Sequence, residues 1–144
     1  MWIIYAVLAA VVWGFDYVFA EQVTKKISIF SFLAIQLFFT FLLAAIAAIL
    51  PGHLKKDLPA VISSRQLLLY FAFGILAFTA GNFLILASIH AKSATLAGMI
   101  EISYPLFIAL FSYLMFKENQ LNLPTVFGGA LIFLGVFVIY FFNK

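Results

Sequence analysis

Four carboxyl and amide side chains stand inside stretches that are mostly apolar: Asp16, Gln36, Asn82 and Glu101. Two of them are carboxyls. A carboxylate near the bilayer centre costs roughly 2.5–3.5 kcal/mol on insertion scales, so such a residue reads first as a binding or proton-handling site. A carboxyl that titrates near neutrality can trade a proton for a cation, which is what coupled exchange requires. The amides of Gln36 and Asn82 can orient such a group by hydrogen bonding. Trp13, Tyr17 and Tyr104 offer ring faces that attract flat or cationic groups.

Glu101 has the stronger local context. At helical spacing its face carries Ala94, Ala97, Gly98, Tyr104 and Pro105. Small residues one turn ahead of it let a second helix approach closely, so this face points into a bundle rather than at lipid. Pro105 has no N–H to give the Glu101 carbonyl four residues back, which leaves that oxygen beside the carboxyl as a cation-attracting spot and makes Pro105 a candidate hinge. Asp16 is expected nearer the membrane surface, and extension of its helix toward Lys25 would place it in a wet vestibule. His90, beside Lys92, reads as a loop residue more readily than as a proton relay.

These side chains need helices to hold them, and the composition allows little else. The chain has 144 residues, 67% hydrophobic, 19% aromatic and 9% charged, with mean hydropathy +1.21. A soluble domain is about a quarter charged, so this chain could not clothe a soluble surface. A membrane span needs about 20 apolar residues, which gives room for five or six spans and excludes a catalytic or nucleic-acid-binding domain outside the membrane. The net charge of +3 reflects loop lysines on a chain with little else that titrates.

Five apolar runs are bounded by charge or turn residues, predicting an all-α integral membrane protein with helices over residues 2–20, 28–50, 67–88, 93–116 and 122–142 in one domain. Residues 67–116 are too many for one crossing, which excludes a four-helix reading. A cleavable signal peptide over the first run competes weakly, because a basic n-region is missing and Asp16 interrupts the apolar stretch. The one sizeable loop, residues 51–66, is expected in the headgroup region.

Counted inward from the face where the first run ends, the four polar residues lie about four to eight residues deep, roughly 6–12 Å below one surface. Four helices thus place their most polar side chain in one layer. The competing reading is scattered interhelical hydrogen-bond glue, worth about 0.6 kcal/mol apiece. Loop cations do not fix the orientation. Lys55, Lys56, Arg65 and Lys117 fall on the N-terminal face, Lys25, Lys26, Lys92 and Lys144 on the opposite face, and a topology rule that needs an excess finds none. A small residual bias, dual insertion with antiparallel pairing, and a partner that sets the orientation are all compatible with the tie.

Motifs for soluble chemistry are missing. There is no Gly-rich phosphate loop, no metal-ligand spacing, no Ser–His–Asp set and no cysteine. The expectation is no enzyme, no cofactor and no metal.

Several stretches carry a family likeness. Trp13-Gly14-Phe15-Asp16-Tyr17-Val18 resembles the Trp-Gly first helix of EamA-type domains in the drug/metabolite transporter superfamily. The stretch from Ala87 to Leu121, with Ala94, Pro105-Leu106-Phe107, Ala109-Leu110 and Lys117-Glu118, looks like that domain's proline-containing fourth helix. The family ends this helix in a Gly-Glu-Arg-Leu-type turn; here Phe116-Lys117-Glu118-Asn119 keeps the Glu but not the Gly or Arg. Residues 129–136 are similar to its glycine-bearing last helix. The resemblance implies one five-helix half of an inverted-repeat transporter, whose larger relatives carry two such domains. Smaller relatives work as antiparallel dimers with an essential first-helix carboxylate. Asp16 lies in the corresponding helix without that motif's surroundings, and Glu101 matches no general family signature.

Together these readings give an expectation. The protein is a transporter of a small organic solute, metabolite or drug-like and suited to a cation, working by alternating access with proton coupling. It sits in a prokaryotic cytoplasmic membrane and pairs with a second copy of itself, antiparallel, through Gly128 and Gly135 on the last helix. Its partners are lipid, substrate and that second copy, with no nucleic acid. The competing reading is a non-transporting partner or assembly subunit of another membrane complex.

Overall fold

The computed structural model describes residues 1–119 and 121–142; Lys144, one of the loop cations, lies outside them. The described residues form helices α1 (Trp2–Thr24), α2 (Ile29–Ile49), α3 (His53–Ser63), α4 (Arg65–Ala91), α5 (Ala94–Glu101), α6 (Tyr104–Phe111) and α7 (Leu123–Phe142), with a π-helical turn over Ser112–Phe116. Among the described residues, five spans are long and apolar enough to cross a membrane, α5, α6 and the π turn together making the fourth. In hydrocarbon a helix satisfies its own backbone, which is why an apolar chain of this kind resolves into helices.

Local chemistry sets the starts. Ser28, Ser64 and Ser93 each accept a bond from the N–H three residues on, at 3.1, 3.3 and 3.3 Å. Asn122 accepts from Thr125 N–H at 2.9 Å, ahead of Pro124 in the first turn of α7. These side chains take up N–H groups that a helix start leaves unbonded. Gly52, at φ 77°, turns α2 into α3 in the left-handed region that glycine enters at no steric cost.

The elements depart from the sequence expectation in four places. The first helix runs on from residue 20 to Thr24, because Glu21 and Lys25 pair at 2.9 Å and so continue the helix rather than ending it. The third span is longer at both ends, 65–91 instead of 67–88, opened by the Ser64 cap. The expected loop 51–66 contains α3, whose Leu54, Leu58 and Ile62 recur every four residues, with Lys55 at the edge of that stripe and Lys56 opposite it. The helix accommodates Pro59 in its interior. The fourth span is broken at Ile102 and Ser103, with Pro105 in the first turn of α6.

Helix α1 packs against α2, α4 and α5, and α5 also touches α7. One core cluster joins Ala20, Leu33 and Leu86, flanked by Ile29, Phe32, Leu37 and Phe83. A second joins Ile89, Ala94 and Ala97, flanked by Tyr17 and Ile85. Both lie toward the closed end of the bundle, where α1 and α4 finish and α2 and α5 begin. Toward the other end the helices present large apolar side chains outward, as in the first half of α1 and of α4. The helices are held together through small residues at close approach, the usual substitute for a hydrophobic driving force in lipid.

Candidate functional site

Adjacent residues of α1 reach two different neighbours. Successive side chains on a helix diverge by about 100°, so Asp16 faces α2 while Tyr17 faces α5. The Gln36 amide Nε2 donates to Asp16 Oδ1 at 3.0 Å. The Tyr17 hydroxyl donates to Glu101 Oε2 at 2.6 Å. All four residues are half-buried. A 2.6 Å contact lies in the range of O–H···O⁻ bonds, shorter and stronger than neutral ones.

Tyr17 can reach Glu101 because α5 is narrow on that face. Ala94 and Ala97 are buried against it, and a Cβ added at Gly98 would sit 3.5 Å from the Tyr17 ring. From the other side Trp13 meets the Tyr17 ring edge-on, with centroids 5.9 Å apart. Trp13 thus packs on Tyr17 while staying about half exposed.

Glu101 is the last residue of α5. There the carbonyl end of the helix favours cations over anions. Ser103 Oγ donates to Ile100 O at 2.9 Å and Leu106 N–H reaches Ser103 O at 3.1 Å, so the break is bridged locally. The proline break and the carboxyl therefore share one turn.

With α1 ending at Thr24, the polar residues line up more closely than the sequence count implied. Asp16 lies eight residues before the end of α1 and Asn82 nine before the end of α4, while Gln36 and Glu101 each lie seven after the start of α2 and α5. At 1.5 Å per residue this is a layer about 10–14 Å below the closed end. Asp16 thus lies about as far from its helix end as the others do from theirs, eight residues rather than the four counted from residue 20.

Not every expected residue joins the site. Asn82 turns back to its own helix, its amide donating to Phe78 O at 2.8 Å. Tyr104 opens α6 within electrostatic reach of Tyr17 but keeps 57% of its surface exposed. Gly128 and Gly135 are exposed, and a Cβ added at either would meet nothing within 4 Å; Gly129 is the close-packed glycine of α7, against the Leu106 side chain. His90 falls in the last turn of α4, exposed, rather than in a loop.

One polar device is not legible in the sequence. Glu21 reads there as the close of the first span, but its Oε2 accepts the Ala94 N–H at 2.8 Å while Oε1 pairs with Lys25. It thereby caps α5 from another helix, one turn along α1 from Tyr17. The Glu21–Lys25 spacing announces a local ion pair; nothing in the sequence announces the partner 73 residues away.

The family model described as EamA-like transporter family matches residues 1–141 of the 144-residue chain. Compared with curated proteins and with solved structures, the chain matches none.

Proposed function

Given that the chain belongs to the EamA-like transporter family, and so to the membrane transporters of the drug/metabolite type, we propose that it exchanges a small organic cation for protons at Glu101. The observation that carries this reading is the 2.6 Å bond from Tyr17 to Glu101 at the break in the fourth span. A half-buried carboxylate held by a single hydroxyl can exchange that bond for an ion pair with a cation, and Trp13 and Tyr17 supply ring faces beside it.

The cycle follows from competition for one oxygen. With Glu101 ionised, Tyr17 donates to it and ties α1 to α5. An arriving cation pairs with the carboxylate and draws Oε2 from the hydroxyl. A proton arriving in its place neutralises the carboxyl and releases the cation. Either event loosens the α1–α5 tie next to the proline break, where α6 can swing relative to α5. Asp16, held by Gln36, keeps α1 on α2 meanwhile, so the motion is confined to one side of α1.

In this reading the working unit is an antiparallel homodimer in a prokaryotic cytoplasmic membrane. Two inverted copies supply the related halves that alternating access uses about a midplane site. The open surface at Gly128 and Gly135 on α7 suits close helix contact with the second copy.

The test is uptake into proteoliposomes holding the purified chain alone, with a flat organic cation such as ethidium as probe and an imposed pH gradient as drive. Gradient-dependent uptake supports the proposal. If the reconstituted chain moves neither ethidium nor any of a panel of organic cations, the chain acts as a partner subunit instead.

A further inference from the structure

A second polar feature lies outside the Asp16–Glu101 layer. Where α4 ends, α5 begins and α7 ends, a cavity of about 260 Å³ is lined by Ser88, Lys92, Leu96, Ala97, Ile100, Ile139 and Tyr140. Its polar groups are at the mouth. Ser88 and Lys92 stand one turn apart at the end of α4, and Tyr140 is in the last turns of α7. Leu96, Ala97 and Ile139 lie at about the same level as Ser88 and Tyr140, and Ile100, one turn beyond Leu96 on α5, is the deepest lining residue.

Charge decides what suits the mouth. Among the described residues the one ion pair is Lys25–Glu21, so Lys92 pairs with no carboxylate among them. Glu21, the acidic residue at this end of the bundle, already spends one oxygen on Lys25 and the other on Ala94 N–H. Asp16 and Glu101 sit deeper, and Asp57 and Glu118 belong to the opposite face. Lys25 and Lys26 add positive charge to the same face as Lys92. An anion fits there, and the apolar track below it fits a chain rather than a small ion.

We infer that this cavity is a binding site for an anionic phospholipid, with the phosphate at Lys92 and Ser88 and one acyl chain running along Leu96 and Ile100. Depth agrees with this placement. Lys92 lies at the α4–α5 turn, and Ile100 is six residues into α5, about 9 Å below its start. A juxtamembrane lysine near an anionic headgroup contributes a several-fold preference for the charged lipid. The acyl chain would end beside the turn that carries Glu101, so a bound lipid would brace α5 against α7 at the level of the site.

The experiment uses the purified full chain in an uncharged detergent, melted while short-chain phosphatidylglycerol, phosphatidylcholine or inorganic phosphate is titrated in. Phosphatidylglycerol raises the melting temperature in a saturable way and phosphatidylcholine does so about five-fold less effectively at equal concentration. Lys92→Gln removes that preference, Lys92→Arg restores it, and Lys26→Gln, which removes the same charge from the same face, keeps it. Equal responses to the two lipids overturn the site, as does loss of the preference in Lys26→Gln to the same extent as in Lys92→Gln. A matching response to inorganic phosphate overturns the lipid assignment in favour of a small-anion site.

Discussion

The bond from Tyr17 to Glu101 can be weighed by a double-mutant cycle. Tyr17→Phe removes the hydroxyl and keeps the ring that packs on Ala94, Ala97 and Trp13. The partner variant is Glu101→Leu, because Glu101→Gln would keep an oxygen able to accept. Two magnitudes compete. Hydrogen bonds to charged groups contribute about 1.5–3 kcal/mol in soluble proteins, whereas interhelical bonds in membranes average about 0.6 kcal/mol and reach about 1.7. The 2.6 Å length argues for the upper part of the membrane range, and the half-buried position argues against the soluble maximum. The expected coupling is therefore about 1–1.5 kcal/mol, read by reversible denaturant unfolding in mixed micelles. Repeating the cycle with Glu101→Gln should recover about half of it, since charge assistance roughly doubles such a bond. A coupling below about 0.3 kcal/mol, within the additivity of independent sites, would refute the reasoning.

Three further outcomes are expected. Glu21→Ala lowers the melting temperature, whereas Glu21→Gln, whose amide oxygen can still accept the Ala94 N–H, retains most of it; equal loss in the two would show that the Lys25 pair, not the cap on α5, matters. Lys117 adopts φ 59° after the π turn, at the place where the family pattern has glycine; Lys117→Val should fall about 1–2 kcal/mol below Lys117→Gly in unfolding free energy, since left-handed backbone penalises a Cβ and a branched one most. Gly128→Leu and Gly135→Leu should convert a dimer to monomer in sedimentation equilibrium, while the Ala variants, whose Cβ meets nothing within 4 Å, leave protomer stability intact; unchanged dimerisation would remove α7 from the interface.

The five spans are legible in the sequence because their signal is length and apolarity, which local sequence carries in full. The break near Pro105 is legible for the same reason, since a missing N–H has its effect within one turn. Helix α3 escapes a sequence reading because Pro59 and the charges of Lys55, Lys56 and Asp57 outweigh the four-residue spacing of Leu54, Leu58 and Ile62. The left-handed Lys117 is half visible, as a departure from the family's Gly-Glu turn. The shared depth of Asp16, Gln36 and Glu101 can be counted along each helix. Their pairing cannot, because whether Asp16 or Tyr17 faces Glu101 depends on the rotation of α1 about its axis. That rotation is set by Ala94, Ala97 and Gly98 on a helix far along the chain. Asn82 shows the limit from the other side: it has the right depth but satisfies itself on Phe78 O.

The most direct test of exchange at Glu101 compares the chain and its Glu101→Gln variant in proteoliposomes, following ethidium uptake and lumenal pH together. The account predicts that the native chain couples cation movement to an opposite proton flux, and that Glu101→Gln, folded and inserted as before, abolishes both the coupling and the pH dependence. Proton-coupled uptake that survives in Glu101→Gln would contradict it.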